Sequence, residues 1–438
     1  MPDQTEAACL LRLGAQYGRR IGLRRGEALV FAGMKRGGFS LYFGDEPIFH
    51  YDRQGRWQRI FAEGVHYRKS LDNSVDAIGR VRVDASTELR RRDVPFAEAA
   101  DLDAYARNVA LDLLEEVSAG TPEFVYPPDG VGTIGIDDLR STLEDIAGWD
   151  AAKWFVHREK YLKAYGPIGF LPPDCHSSIV VQSTLGDACG WAFGGAPPRE
   201  HTVRSTEEFA RHCREVSALW GRRATQAKGI YLAGGDAISR PLDEVEATLH
   251  AMSTVFPMAV GEGPKRLRDL PDDEARFEGI DGWIDDLGAP RVDGGGWSRL
   301  RALGLVRVNL GVESGDPRLR SLYGRDWDDA TARRLVEGLK AGGIGVRIVA
   351  LVGAGGVEDA DAHTSKSIAL IESLGLGRGD LVYLVDAADV GDPTLGGRFA
   401  ALGPEAVSAQ RAAIKAGLAD ALARGAKVVG YSTDKQMV

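Results

Sequence analysis

The spacing of apolar and polar residues changes near residue 177, and the stretch before that point is β-rich at its start. Short aromatic runs occupy 39–43, 47–51 and 56–61, and Gly- and Asp-containing turns separate them. Short β-prone runs between turn residues predict a meander of hairpins. We therefore assign 1–95 to a β-rich N-terminal domain.

Helical spacing follows this β-rich part. Leu102, Val109 and Leu113 recur at helical spacing within 99–119, and Gly120 is placed to end that helix. A second helix is predicted over 151–165, before the Gly-Pro pair that follows it. Residues 96–165 are therefore predicted to be a helical linker region.

From Ser177 onward, short apolar runs alternate with helical segments. The predicted strands span 179–182, 229–233, 305–310, 346–351, 381–385 and 427–431, and the predicted helices span 206–219, 242–255, 317–323, 330–341, 362–374 and 405–424. Repeated βα units imply a parallel sheet with helices outside it and ligands at the carboxyl ends of its strands. We thus predict an α/β domain over 166–438. Its glycine-rich, acidic segment 263–296 is expected to be an insertion over the mouth or edge of the sheet.

Composition sets the class of protein. With 438 residues, of which 44% are apolar and 27% charged, the chain is expected to form two or three globular domains. The net charge of −9 argues against nucleic acid as a partner, which leaves an unidentified small-molecule substrate. No apolar run reaches about 18 residues, so no membrane span is expected. The lack of a signal-peptide pattern and the four scattered cysteines predict a cytoplasmic protein.

Four glycine-containing segments follow predicted strands and would meet at one edge of the sheet. They are 184–187, 233–237, 311–315 and 351–356. Asp236 and Glu313 are carboxylates in these segments, and carboxylates suit a ligand amine or a ribose diol. The glycines that would let the backbone approach a ligand are Gly234, Gly235, Gly353 and Gly355. Taken singly, each segment also fits a structural turn.

In this order, the segments resemble the radical SAM superfamily, in particular the branch of the tRNA methylthiotransferases and of the elongator acetyltransferase's SAM domain. The resemblance covers about 167–395, and its most specific part is the run LGLVRVNLGVESG at 303–315. It implies a partial (β/α)6-type barrel that binds S-adenosylmethionine. The implied binding residues are Gly234, Gly235 and Asp236 at the methionyl amine, Glu313 and Ser314 in the Glu-Ser-Gly segment, and Gly353 and Gly355 in the adenosine loop.

The chain departs from this family where the iron–sulfur cluster should be held. Four-iron clusters are bound by cysteine thiolates, and the family places three of them after the Thr-Leu-Gly segment. Here Asp187 stands at the first position, Cys189 is the one cysteine of 184–192, and Ala192 stands at the third position. The resemblance therefore predicts a degenerate motif without a four-iron cluster and without metal ligands. Asp187 becomes a candidate base and Cys189 a candidate nucleophile.

Three hypotheses about function remain open, and whether the protein is an enzyme is not settled by the sequence. The first is a cluster-free protein that binds S-adenosylmethionine or a related nucleoside and performs polar chemistry, which the retained Gly-Gly-Asp and Glu-Ser-Gly segments favour. The second is an inactive homologue acting as a binding or scaffold module, which the lost cysteines and the bulky Trp191 favour. The third is an unrelated barrel enzyme with a phosphate-binding loop at 353–356, and the acidic residues after Gly356 argue against it.

Basic and aromatic residues also cluster in the predicted hairpins, among them Arg56, Trp57, Arg59 and His66. Two interpretations fit this cluster. It is either a site for a substrate or a phosphate-bearing partner, or an aromatic sheet core with arginines on its solvated face.

Overall fold

Two hydrophobic cores organise the protein. The structure, a computed structural model, describes residues 18–83, 86–127, 132–169, 171–186, 200–234, 236–259, 274–288, 292–391 and 397–431. One core lies under an antiparallel sheet in the first part of the chain, and the other surrounds a parallel sheet in the second part. No helix among these residues is both long and apolar enough to cross a membrane.

The first sheet is a meander of hairpins, as the turn pattern predicted. Its strands in chain order are β1 (Arg19–Arg25), β2 (Ala28–Lys35), β3 (Gly38–Phe43), β4 (Ile48–Asp52), β5 (Trp57–Ala62), β6 (Val65–Lys69), β7 (Val75–Val83) and β8 (Ser86–Asp93). Each of these pairs antiparallel with the next, and the short strands β9 (Glu123–Val125) and β10 (Gly132–Thr133) both pair with β1. Apolar residues such as Leu41, Phe49 and Ile60 point to one buried face.

Three helices cover that face. They are α1 (Phe96–Ala119), α2 (Ile136–Ala147) and α3 (Ala151–Ala164). Leu113, Leu139 and Trp154 belong to the same buried cluster as Phe49, so the helices and the sheet share one core. Gly120 ends α1 in the left-handed conformation, at φ 68°, as its position in the sequence predicted.

The second sheet is parallel throughout. Its strands lie in the order β11 (Ile179–Gln182), β14 (Ile230–Ala233), β15 (Ile280–Ile284), β16 (Leu305–Glu313), β17 (Gly345–Val352), β18 (Leu381–Asp386) and β19 (Lys427–Tyr431). A separate two-stranded ladder joins β12 (Thr184–Leu185) to β13 (Thr202–Val203). This arrangement confirms the α/β fold class, with a sheet that is open in the part of the chain that the structure describes.

Helices follow the strands of this sheet. They are α4 (Thr206–Trp220), α5 (Leu242–Ser253), α6 (Gly294–Ala302), α7 (Pro317–Leu322), α8 (Asp329–Ala341), α9 (Gly356–Ser373), α10 (Pro404–Gly417) and α11 (Ala419–Ala423). A capping box between Ser205 and Glu208 starts α4. The prediction of a single helix over 405–424 is wrong, because Leu418 separates α10 from α11.

The segment expected to be an insertion contributes a central strand. Within 263–296, Ile280–Ile284 forms β15, which pairs with β14 and β16, and all five residues are buried. Its sequence, IDGWI, is short and carries a charge, so apolar spacing alone did not reveal it. Asp281 is tolerated there because Arg307 donates to both of its carboxylate oxygens.

Contacts between the segment before β11 and the last three strands show that the parallel sheet curls. Asp174, just before β11, accepts hydrogen bonds from Arg347 on β17 at 3.0 Å and from Tyr383 on β18 at 2.5 Å. The hydroxyl of Tyr431 on β19 donates to the carbonyl of Leu171 at 2.7 Å. The first strand in sheet order is therefore brought toward the last three, which is the geometry of a partial barrel.

Arg56 joins the two parts of the chain and is buried. Its guanidinium donates to Asp52 in its own hairpin and to the carbonyls of Leu219 and Trp220 at the end of α4. Trp57 next to it is 3% exposed and belongs to the first core. The interpretation as an aromatic sheet core therefore agrees with the structure for Trp57, whereas its placement of the arginines on a solvated face is wrong for Arg56.

Candidate functional site

The carboxyl ends of the parallel strands bring together the residues that the sequence singled out. Gly234 and Asp236 follow β14, Glu313 ends β16, and Gly353 follows β17. Thr184, which follows β11, contacts this group closely: a Cβ atom on Gly234 would lie 2.1 Å from the Thr184 Oγ1 atom. Gly234 has φ 115°, so glycine is required there both by backbone conformation and by space.

Glu313 is held inside the protein by Arg325. The Arg325 Nη2 and Nε atoms donate to the two carboxylate oxygens at 3.1 and 3.2 Å, and both side chains are 3% exposed. Arg325 also lies 3.8 Å from the Asp285 carboxylate after β15. Burial raises the pKa of Glu313, and the charge of Arg325 opposes that effect. Glu313 has φ 52°, a left-handed conformation that is uncommon for a residue with a side chain.

The other residues of the Glu-Ser-Gly segment dock α9 against β16. The Ser314 hydroxyl lies 2.7 Å from Nδ1 of His363, and it accepts from the Asp316 backbone N–H at 3.0 Å. The Nε2 of His363 lies 2.9 Å from the Leu351 carbonyl, which can only accept, so Nδ1 accepts from Ser314. A Cβ atom on Gly315 would lie 2.2 Å from the Lys366 carbonyl oxygen. Ser314 thus uses its hydroxyl within the protein.

The glycine-rich loop after β17 is also closely packed. The Gly353 N–H donates to the Gln410 side chain at 2.7 Å. Gly355 starts α9 in the left-handed conformation, and a Cβ atom there would lie 2.9 Å from Leu319. Both glycines are buried. Close packing of α9 against its neighbours accounts for their positions.

Asp236 is a carboxylate at this edge that retains some exposure. Its Oδ2 atom lies 2.8 Å from Nε2 of His201, and the two side chains are 19% and 28% exposed. The antiparallel pairing of β12 with β13 returns the chain to the end of β11, and His201 directly precedes β13. The result is a His–Asp pair at the carboxyl edge, which the sequence analysis did not identify.

Two further residues of the site were missed for recognisable reasons. Asp285 follows β15, and that strand lay in the segment assigned to an insertion. Arg325 follows Gly324 in the loop before α8, where an arginine in a charged sequence resembles a solvated residue. Asp187, Cys189, Gly235 and Trp191 lie outside the described residues, so their assigned roles remain predictions.

The described cysteines do not fit a cluster at this edge. The charged groups around Cys175 include Asp281 and Arg307, which lie near the starts of β15 and β16, so Cys175 is at the opposite end of the sheet. Cys213 is buried on α4. Burial raises the pKa of the Cys175 thiol well above its ordinary value and that of Cys213 to about 12, so both are held as thiols.

No protein-family model and no curated protein matches the chain in sequence. Solved structures similar to it include the radical SAM enzyme coproporphyrinogen III oxidase (HemN) from Escherichia coli, at 12% identity over 48% of this chain and 44% of that chain, with a TM-score of 0.35. The cobalamin-dependent S-adenosylmethionine radical enzyme OxsB is 14% identical over 45% of this chain and 27% of that one, with a TM-score of 0.33. The radical S-adenosylmethionine methyltransferase TsrM from Kitasatospora setae is 14% identical over 54% and 38%, with a TM-score of 0.30.

The chain thus spans less than half the length of each of these three structures. These solved structures are radical SAM enzymes, the class of protein that the motifs of the sequence resemble. Similarities with TM-scores of 0.30 to 0.35 do not identify a site, so the site is described from the residues of this chain.

Proposed function

We propose that the carboxyl edge of the parallel sheet binds S-adenosylmethionine or a related nucleoside, and that any reaction there is polar. The observation that carries this proposal is the partly exposed His201–Asp236 pair beside the strained Gly234 turn. Cys175 and Cys213 support a polar reaction rather than one that needs an iron–sulfur cluster, since neither of them is placed to hold a cluster at this edge.

The residues of this edge fit an amine- and hydroxyl-bearing ligand. The hydroxyls of Ser183 and Thr184 are buried and have no hydrogen-bond partner among the described residues, so they are available to a ligand or to water. Asp236 would use the oxygen that His201 leaves free to accept from an ammonium or ribose hydroxyl. Glu313 would act through Arg325 by fixing the end of β16.

His201 is the group that would hold a proton. Its Nε2–H donates to Asp236 when the imidazole is neutral, which leaves the Nδ1 lone pair to accept a proton from a substrate. Bound S-adenosylmethionine would supply an activated methyl group and leave as S-adenosylhomocysteine, and a nucleophile that carries a proton would release it on accepting the methyl group. The pair provides an acceptor for that proton, in addition to the roles predicted for Asp187 and Cys189.

Calorimetric titration of the full chain with S-adenosylmethionine and with S-adenosylhomocysteine tests the binding proposal. Asp236→Asn should weaken binding about tenfold or more, because it removes a charge-assisted hydrogen bond. Asp112→Asn, an exposed residue on α1, is the matched control and should bind as the parent does. If the parent does not bind either nucleoside, the proposal is wrong.

A second candidate function is a binding or scaffold module without catalysis. The Ser314 hydroxyl and the Gly353 N–H form hydrogen bonds within the protein, and Gly355 is closely packed against Leu319. These internal contacts favour the scaffold function. His201→Asn separates the two candidates. If the protein is an enzyme, the parent turns over S-adenosylmethionine, and the variant keeps its affinity for the nucleoside but loses this turnover. If it is a scaffold, the parent shows no turnover.

A further inference from the structure

A cavity lies in the N-terminal part of the protein, away from the carboxyl edge of the parallel sheet. It is bounded by the turn between β6 and β7, by α1 and by the start of α3, and its described lining residues all fall between Lys69 and Arg158. Its volume is about 750 Å³, within the range of pockets that enclose small organic molecules.

Aromatic side chains form the floor and the rim of this cavity. Trp149 and Trp154 are buried on the floor, with ring centroids 4.6 Å apart. Phe96 on α1 and Phe155 on α3 line the cavity as well, but they are 79% and 65% exposed. Two large apolar side chains that reach into solvent around an aromatic floor favour an apolar occupant that would cover them.

The lining carboxylates already have partners within the protein. Asp103 accepts from Lys69 Nζ at 2.8 Å and from Trp57 Nε1 at 2.6 Å. Asp150 accepts from the Lys153 N–H and caps α3, and Asp72 accepts from Ser74. Each of these carboxylates therefore already accepts a hydrogen bond from another group of the protein.

Two lining guanidinium groups retain donors. Arg107 uses Nε on the Ala147 carbonyl, which leaves its two terminal nitrogens, and Arg158 has no hydrogen-bond or ion-pair partner among the described residues. The Nε1 atom of Trp154 is buried and likewise has no hydrogen-bond partner there. Unused donors around an apolar floor call for a ligand that accepts hydrogen bonds and carries negative charge.

The wall of the cavity is fixed before any ligand arrives. Asn73, in the β6–β7 turn at φ 72°, donates from its side-chain nitrogen to the Trp154 carbonyl at 2.7 Å. Its side-chain oxygen lies 3.0 Å from Nδ1 of His157. The turn is thereby tied to α3, and a preformed pocket loses less conformational entropy when it binds.

We propose that this cavity binds a small organic anion with an aromatic body. The body packs against Trp149 and Trp154 and covers Phe96 and Phe155, while Arg107 and Arg158 hold the anionic group. The site is separate from the proposed nucleoside site, since it is built from other elements, and its test does not depend on that function.

The probe is 1-anilinonaphthalene-8-sulfonate, with its uncharged counterpart N-phenyl-1-naphthylamine as the matched control ligand. The two differ only in the sulfonate, so their ratio of affinities measures the contribution of the guanidinium groups. Binding to the full chain is followed by probe fluorescence and by energy transfer from tryptophan. We expect one bound sulfonate per chain, with at least about tenfold preference over the neutral probe.

Variants of lining residues test whether the probe binds in this cavity. Ala104→Trp fills the cavity from an exposed position of α1 and should abolish binding, whereas Ala97→Trp on the same helix, which does not line the cavity, should not. Arg158→Gln should lower the affinity for the sulfonate about tenfold without changing that for the neutral probe, whereas Lys160→Gln should change neither. Absence of binding, equal affinity for both probes, or binding that survives Ala104→Trp would overturn the proposal.

Discussion

The Nη1 atom of Arg56 lies 3.1 Å from Nε2 of His157, and this pair requires a neutral histidine. A guanidinium can only donate, so Nε2 must accept and the ring proton must be on Nδ1, which faces the Asn73 side-chain oxygen at 3.0 Å. Burial lowers the pKa of His157 to about 3, and the charge of Arg56 adds to this effect. The hydrogen bonds and the pKa thus agree on the same protonation state.

A loss of stability in mild acid follows from this neutral state. An unfolded histidine has a pKa of about 6.5, so below that pH the unfolded chain binds a proton that folded His157 does not. The free energy of unfolding should therefore fall as the pH drops from about 6.5 toward 3, and the contribution is fully present above pH 6.5. His50, with its pKa lowered to about 4 by burial, and His212, with its pKa lowered to about 3 by burial, act in the same direction.

Thermal melts of His157→Gln between pH 4.5 and 7.5 measure this contribution. Burial also lowers the pKa of His363, so four histidines share the effect and the variant should lose about one quarter of the slope of stability against pH. His250→Gln, at an exposed position of α5, is the control and should keep the slope of the parent. A His157→Gln variant with an unchanged slope would show that the folded state already carries a charged imidazole.

Arg56 should also be required for the two parts of the chain to stay together. Arg56→Gln leaves Asp52, which is fully buried, without its charged partner and removes two hydrogen bonds to the end of α4. Loss of one partner from a buried ion pair typically costs ~3–5 kcal/mol. We expect a large drop in melting temperature, together with faster proteolysis between α3 and β11. Arg59→Gln, exposed on the next strand, is the control and should melt as the parent does.

Gly315 offers a test of the packing role of the Glu-Ser-Gly segment. A Cβ atom there would lie 2.2 Å from the Lys366 carbonyl oxygen and 2.4 Å from the Ser367 Cα atom, both in the backbone of α9. Gly315→Ala should therefore destabilise the protein by ~1–3 kcal/mol or more. Gly169→Ala, where a Cβ atom would have open space, is the control. Equal urea midpoints for the two variants would refute this account of the segment.

The spacing of apolar residues predicted most of the fold, because most of the parallel strands contain a short, largely apolar run. β11 and β19 have the bounds that the sequence predicted, and β16 continues beyond its predicted end to Glu313. The strand that was missed, β15, contains Asp281, whose burial depends on Arg307 from the neighbouring strand. A pairing between strands cannot be recognised from the spacing of residues within one of them.

The candidate site was predicted in position but not in its pairings. Asp236, after β14, and Glu313, at the end of β16, both lie at the carboxyl edge of the sheet, because its strands are parallel. Their partners, His201 and Arg325, come from loops whose course depends on tertiary packing. Sequence motifs therefore identified the carboxylates, but not which of them remains available to a ligand.

The cysteines lead to a direct prediction about metal content. Protein purified without oxygen should be colourless and should contain no stoichiometric four-iron cluster, because Cys175 lies at the opposite end of the sheet and Cys213 is a buried thiol on α4. Iron and sulfide analysis on the sample used for the nucleoside titration checks this prediction. About four iron atoms and four sulfides per chain, with absorption near 400 nm, would contradict it.

The ion pair of Glu313 and Arg325 allows the strongest test of how the central strand ends. Glu313→Gln removes the buried carboxylate that accepts from both Nε and Nη2 of Arg325 and should cost ~3–5 kcal/mol of unfolding free energy. The double variant Glu313→Gln/Arg325→Gln should cost less than the sum of the two single variants, since it removes both charges of the pair rather than one of them. Urea unfolding of all four proteins gives this coupling energy, and Arg140→Gln, in an exposed pair on α2, should cost no more than ~1 kcal/mol. If Glu313→Gln keeps the stability of the parent but loses nucleoside binding, the carboxylate faces the ligand as the resemblance implied, and its pairing with Arg325 does not stabilise the fold.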